Sequence, residues 1–134
     1  MTIENHSSNQ LLMELINCKS ITPMDAGCQD IIKHHLQSVG FICEELNFGE
    51  VRNLWATIGD NDGPTLCFAG HTDVVPPGPL KDWNFDPFQA TLDKDFIFGR
   101  GAADMKSGLA AMVIAAKIFI NNHHHFKGRL AFLV

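Results

Sequence analysis

The sequence predicts an α/β fold in which helices lie on both faces of a sheet. Two segments carry this prediction: the short, almost wholly apolar run "TLCFAG" at residues 65–70 and the long apolar helical run at residues 104–122. Runs without polar alternation are typical of strands that are covered on both faces. The third observation is composition, because 134 residues with 46% hydrophobic and 19% charged side chains can form a sizeable core.

Each predicted element has a local reason in the sequence. Apolar residues at helical spacing predict a first helix in residues 9–20. Asp25 as an N-cap and Gly40 as a stop signal bound a second helix between them. Apolar alternation, apolar clustering and turn residues predict the rest of the chain. The rest comprises strands at 41–48, 53–59 and 65–70, a proline-containing loop at 72–86, two short strands within 88–99, a helix at 104–122 and a strand at 128–134.

Composition and missing motifs argue against several classes of protein. A net charge of −5 without a basic cluster is unlike a nucleic-acid-binding surface. No apolar run reaches the roughly 20 residues that span a bilayer, and residues 1–10 lack the features of a secretory signal. Cys18, Cys28, Cys43 and Cys67 form no C-x-x-C pair, which indicates reduced thiols and a cytoplasmic location. Neither a G-x-S-x-G elbow nor a P-loop occurs.

The stretch "FAGHTDVVPPG" places His71 two residues before Asp73, directly after a predicted buried strand. A neutral imidazole can bind a metal through one nitrogen while a carboxylate accepts a hydrogen bond from the other. The end of a buried strand is also where α/β proteins place ligands. The alternative is a surface histidine followed by an acidic turn, and the spacing alone leaves both interpretations open.

The stretch "FIFGRGAADMKSG" has the pattern G-x-G-x-x-D, with Asp104 just before a helix. This differs from the G-x-G-x-x-G turn that binds dinucleotides, and a carboxylate there would repel a pyrophosphate and attract a cation. Asp104 is therefore either a metal-bridging carboxylate or a helix N-cap, for which aspartate is favoured. A nucleotide-binding module is the weaker alternative.

Other residues that could carry chemistry have structural explanations. The run at residues 123–125 consists of three histidines in a polar segment, and we expect a solvated loop there. His34 and His35 lie on the flank of a predicted helix, and Trp55 and Trp83 are expected to be packing residues. The ten phenylalanines are expected to lie in the core.

Taken together, these motifs resemble the di-zinc aminoacylase and carboxypeptidase family. The segments that carry the resemblance cover nearly the whole chain in the family's order: "SITPMDAGCQD", "NLWATIG", "FAGHTDVVPPG", "DPF", "GRGAADMKSG" and "KGRLAFLV". One departure is the turn at Lys94 and Asp95, where family members often have glycine. We expect it to change only that turn.

The resemblance implies a role for each residue of the candidate site. His71 would bind one zinc ion, Asp104 would bridge two zinc ions, and Asp73 would support the histidine as part of the catalytic apparatus. The peptide bond from Asp104 to Met105 would be cis. Two zinc ions, or cobalt in their place, would activate a water molecule that a glutamate deprotonates.

Within the family, the motifs favour hydrolysis of N-succinyl-LL-2,6-diaminopimelate to succinate and LL-2,6-diaminopimelate. That reaction belongs to lysine and diaminopimelate biosynthesis, and its enzymes would be cytoplasmic homodimers acting on a small molecule. A related deacylase, such as one acting on acetylornithine or another acylated amino acid, is the nearest alternative. A non-catalytic α/β module is the other.

Residues 128–134 are predicted to form an apolar strand at the end of the chain, so we expect residues 1–134 to be the N-terminal portion of a larger catalytic domain. The resemblance implies that this α/β domain has a mixed sheet with helices on both faces. The resemblance places the glutamate base, further zinc ligands and a dimerisation domain after Val134. The chain alone is then expected to be inactive and to bind zinc weakly. It is also expected to expose an apolar surface through which it self-associates.

Overall fold

The computed structural model describes residues 8–134, so most of the segment examined for a secretory signal lies outside the described residues. This part of the chain contains three α-helices, a four-stranded sheet and a two-stranded hairpin, which confirms the expected mixed α/β architecture. None of its helices has the length and apolar character needed to cross a membrane. The elements are α1 (Ser8–Asn17), α2 (Cys28–Gln37), β1 (Ile42–Glu45), β2 (Leu54–Gly59), β3 (Thr65–Ala69), β4 (Thr91–Asp93), β5 (Phe96–Phe98), α3 (Ser107–Asn122) and β6 (Arg129–Leu133).

The four-stranded sheet has the order β1-β2-β6-β3. β2 pairs antiparallel with β1 and β6, whereas β3 pairs parallel with β6. The parallel pair is possible because the chain between the two strands includes the hairpin and α3, which supply a long crossover. Phe132 in β6 lies opposite Ala56 on one side and Phe68 on the other, so one row of side chains runs across the sheet.

All three helices lie together against one face of this sheet. α1, α2 and α3 contact one another, and α2 also contacts β1 and β2. Their buried residues join those of the strands in a single hydrophobic cluster that includes Leu15, Ile32, Val113, Ala56 and Phe132. One core therefore joins the helical layer to the sheet.

The opposite face of the sheet has no helix among the described residues, whereas helices on both faces are expected of the complete catalytic domain. The strand register places Ile42, Trp55 and Leu133 on that face, and Ile42 and Leu133 are 70% and 43% exposed. No helix within residues 8–134 covers it. The apolar pattern of the strands indicates that both faces can be buried, but it does not specify what covers them.

The prediction that β3 is buried on both faces is wrong for the described residues. β3 is an edge strand with β6 as its hydrogen-bonded neighbour, and most of its residues are exposed, including Leu66 at 57%. The expectation that the phenylalanines form core is also only partly met. Phe41 and Phe132 are buried, whereas Phe48 and Phe96 are 74% and 67% exposed.

Candidate metal centre

The two candidate motifs meet where β3 and the hairpin lead into loops. His71 follows β3 by two residues, and Asp104 lies between β5 and α3. The Nε2 atom of His71 is 3.1 Å from Oδ1 of Asp104, although 33 positions separate the residues in the sequence. The fold thus brings together the two residues that sequence reasoning singled out independently.

The loop that carries His71 is held by buried hydrogen bonds next to the exposed ring. The Thr72 hydroxyl donates to a carboxylate oxygen of Asp25 over 3.0 Å, and both residues are buried. The same carboxylate accepts the backbone N–H groups of Gly27 and Gln29 at the start of α2. The prediction of Asp25 as the N-cap is therefore wrong, because α2 begins at Cys28 and its N-cap is Gly27. The Asp25 carboxylate binds the N–H groups of Gly27 and Gln29 from a position two residues before that N-cap.

The segment that carries Asp104 is irregular. Asp104 has φ −124° and ψ 100°, outside the helical region, and its peptide bond to Met105 is cis, as the family resemblance implied. α3 begins at Ser107, and no side chain caps its N-terminus. The N-cap interpretation of Asp104 is therefore wrong, since its carboxylate faces His71 instead.

Asp73 determines which nitrogen of His71 carries a proton. The Nδ1 atom of His71 is 2.9 Å from the backbone carbonyl oxygen of Asp73. A carbonyl can only accept, so Nδ1 must donate and must be protonated. The carboxylate oxygen of Asp73, the partner suggested by the sequence, lies farther away at 3.4 Å. The carbonyl and carboxylate oxygens of Asp73 both lie next to Nδ1, so Nε2 is available to interact with Asp104.

This tautomer creates a position for a cation between His71 and Asp104. In a neutral ring protonated at Nδ1, Nε2 presents a lone pair to a carboxylate oxygen 3.1 Å away. Two acceptors at that distance need positive charge between them, and a proton or a metal ion can supply it. The chemistry of the pair therefore fits a divalent ion that takes nitrogen and oxygen ligands, such as zinc.

The pKa of His71 follows from the same contacts. Partial burial of the ring lowers the pKa, but the hydrogen bonds to the Asp73 carbonyl and the Asp104 carboxylate, with the charges of both aspartates, outweigh it. The net result is a pKa above the usual histidine value. In the absence of a metal ion, the proton on Nε2 takes the place between the two side chains.

A cavity of about 310 Å³ adjoins the pair and is lined by His71, Asp73, Arg100 and Asp104 among others. A cavity of that size is at the lower end of the range for small-molecule sites. The cavity has a mixed polar and apolar lining, and its position beside the candidate metal ligands makes it a candidate substrate pocket.

Arg100 is a lining residue that sequence reasoning missed. Its Nη2 atom donates to the carbonyl oxygen of Pro77 over 3.3 Å, and its guanidinium lies 4.9 Å from the centre of the Trp83 ring. The indole N–H of Trp83 donates to the same carbonyl oxygen over 2.9 Å. Arg100 therefore ties the proline-containing loop to the turn before Asp104, a role that its place between two glycines does not reveal.

The other histidines are not brought to this site. Residues 123–125 are exposed, in agreement with the predicted loop. They line a shallow cavity together with the end of β2 and Phe126. His35 is buried, unlike the expected helix flank, between Glu14 of α1 at 3.8 Å and Lys117 of α3 at 3.2 Å. Within residues 8–134, no three histidine, cysteine, aspartate or glutamate side chains form a group able to hold a metal ion.

A mixed α/β fold with an imidazole facing a carboxylate beside the end of a strand is typical of α/β metallohydrolases. The model of peptidase family M20/M25/M40 matches residues 67–134, half of the chain. The chain belongs to this family, which confirms the resemblance inferred from its motifs.

Two curated relatives are similar to nearly the whole of this chain. A succinyl-diaminopimelate desuccinylase of Pseudomonas syringae pv. syringae is 51% identical over 126 residues, which cover 93% of this chain and 33% of the relative. One of Coxiella burnetii is 55% identical over 124 residues, covering 92% of this chain and 33% of the relative. The chain therefore spans about a third of the length of these relatives.

Solved structures show the same fold. An M20 family metallo-carboxypeptidase of Sulfolobus solfataricus superposes with a TM-score of 0.79 at 25% identity, covering 96% of this chain and 30% of that chain. Human carnosine dipeptidase 1 gives a TM-score of 0.77 at 22% identity, covering 94% and 31%.

Proposed function

We propose that this chain supplies one part of the active site of a succinyl-diaminopimelate desuccinylase. The reaction is hydrolysis of N-succinyl-LL-2,6-diaminopimelate to succinate and LL-2,6-diaminopimelate. The observation that carries the proposal is the 3.1 Å approach of His71 Nε2 to Asp104, with the proton of His71 held on Nδ1. Identity of 51–55% to relatives of that name supports the choice of substrate.

His71 and Asp104 are the residues that would hold metal in this chain. His71 offers the Nε2 lone pair, and Asp104 offers two carboxylate oxygens on a side chain that is 89% exposed. Two zinc ions, or cobalt ions, would supply an activated water and polarise the amide carbonyl. Asp73 keeps the proton on Nδ1 and so keeps Nε2 available as a ligand.

The remaining parts of the catalytic domain are proposed to lie outside these 134 residues. They are the glutamate that accepts the proton from water, further metal ligands and the domain through which a homodimer forms. Two ligands fall short of the roughly four that a zinc ion takes. The 134-residue chain alone is accordingly proposed to be inactive, and the complete enzyme is proposed to be cytoplasmic.

The decisive experiment assays the full-length gene product with succinylated and acetylated diamino acids in parallel. Desuccinylase activity supports the proposal, preference for an acetylated substrate favours a deacylase, and no hydrolysis of either favours a non-catalytic module. Losing a residue that supports a metal ligand typically costs about 10–100-fold, so His71→Ala and Asp104→Ala should each cost at least about 100-fold. His124→Ala is the matched control and should leave activity unchanged, because His124 is exposed and precedes β6 at the end of the parallel strand pair opposite to His71.

A further inference from the structure

Lys106 is a fully buried lysine two residues after the candidate metal ligand Asp104. None of its surface is exposed, and its ammonium group donates to the carbonyl oxygens of Leu15 over 2.7 Å and Cys18 over 3.0 Å. These carbonyls lie at and just after the C-terminal end of α1, where a helix carries partial negative charge. The last turn of α1 has no basic residue of its own. The Lys106 ammonium group, from a distant part of the sequence, therefore supplies the positive charge at this helix end.

The bond to α1 fastens the segment that carries Asp104. The backbone N–H of Lys106 donates to the carbonyl oxygen of Gly101 over 2.9 Å, so the segment between them is closed into a loop. The side chain of Asp104 is 89% exposed and makes few packing contacts of its own. Its position therefore depends on how its neighbours in the segment are anchored.

The same end of α1 also fastens the loop that carries His71. The hydroxyl of Ser20, a fully buried residue, donates to the carbonyl oxygen of Thr72 over 2.8 Å. The backbone N–H of Val74 donates to the carbonyl oxygen of Ser20 over 2.8 Å. The short stretch from Leu15 to Ser20 is thus bonded to both loops of the candidate metal centre.

We propose that Lys106 and Ser20 are positioning residues that set the separation of His71 and Asp104 by fastening both loops to the C-terminal end of α1. Neither residue lines the cavity that adjoins the two ligands. Ligands held at a fixed separation need less reorganisation when a metal ion binds. The consequence for metal binding rests on the proposed function, whereas the positioning itself is a property of the metal-free chain.

The test uses the 134-residue chain labelled for NMR, with Lys106→Met and Ser20→Ala each made in a Leu66→Lys background that reduces the expected self-association. Methionine nearly preserves the length of the side chain but cannot donate, and alanine removes one hydroxyl. The controls are Lys117→Met and Ser38→Ala, because Lys117 donates to His35 and Ser38 donates to a backbone carbonyl away from the centre. The readouts are the cross-peak between the His71 ring and the Asp104 side chain, and the 15N shift of Nε2.

Both positioning variants should lose the cross-peak and shift the Nε2 resonance, while both controls keep them. If Lys106→Met does not fold, Ser20→Ala decides, since it changes the core volume least. A folded Ser20→Ala that keeps the cross-peak and the Nε2 shift overturns the proposal. Failure of the proposed function would appear differently, as no hydrolysis by the full-length wild-type protein with the NMR result unchanged.

Discussion

Replacing Gly101 with alanine should destabilise the chain by forcing apart the two loops of the candidate metal centre. Gly101 has φ +80°, and a β-carbon there would lie 2.4 Å from Cγ1 of Val74. Val74 is buried and belongs to the loop that also carries His71. The clash would push on Val74, so the substitution at Gly101, three residues before Asp104, should displace the loop that carries His71.

The magnitude has two parts. Holding a non-glycine residue in the left-handed region costs roughly 1–2 kcal/mol. Overpacking a buried contact typically costs roughly 1–3 kcal/mol more. Together they predict a loss of about 2–5 kcal/mol in the free energy of unfolding of Gly101→Ala.

Urea unfolding followed by circular dichroism measures this loss, with Gly78→Ala as the matched control. Gly78 has φ +75°, and a β-carbon there meets no atom within 4 Å, so only the backbone cost of about 1–2 kcal/mol remains. The difference between the two variants isolates the contact with Val74. Equal losses in both would refute the reasoning, because they would mean that the buried contact relaxes without cost.

Three further predictions concern charge, metal and association. The raised pKa of His71 in the metal-free chain should fall in Asp104→Asn, measured by NMR titration of the ring protons. The stability that this pairing contributes should be complete below the unfolded-state histidine pKa of about 6.5 and should be lost as the pH rises through the raised pKa of His71. An unchanged His71 pKa in Asp104→Asn would contradict the pairing. Zinc titration by calorimetry should show no sub-micromolar binding, because two ligands are too few; tighter binding would overturn this. Light scattering should show self-association of the wild-type chain. Leu66→Lys should reduce this self-association, because a lysine on an edge strand opposes strand pairing between molecules. A monomeric wild-type chain would contradict the prediction.

Much of the fold was predictable from local sequence. The helices from Ser8, Cys28 and Ser107 and the hairpin before Arg100 follow from spacing and turn residues that act over a few positions. The environment of each element was not predictable in the same way. Leu66 belongs to an apolar run, yet it lies on an edge strand, because burial depends on which segment lies beside it.

The sequence by itself determined the chemical types at the candidate site and the family that carries them. Tertiary structure decided that His71 and Asp104 face each other, that the Asp73 carbonyl selects the tautomer, and that Lys106 anchors the segment from beneath. Local patterns encode propensity over a few residues. Hydrogen bonds between segments tens of positions apart depend on the packing of the whole sheet and its helices, and only the folded chain specifies them.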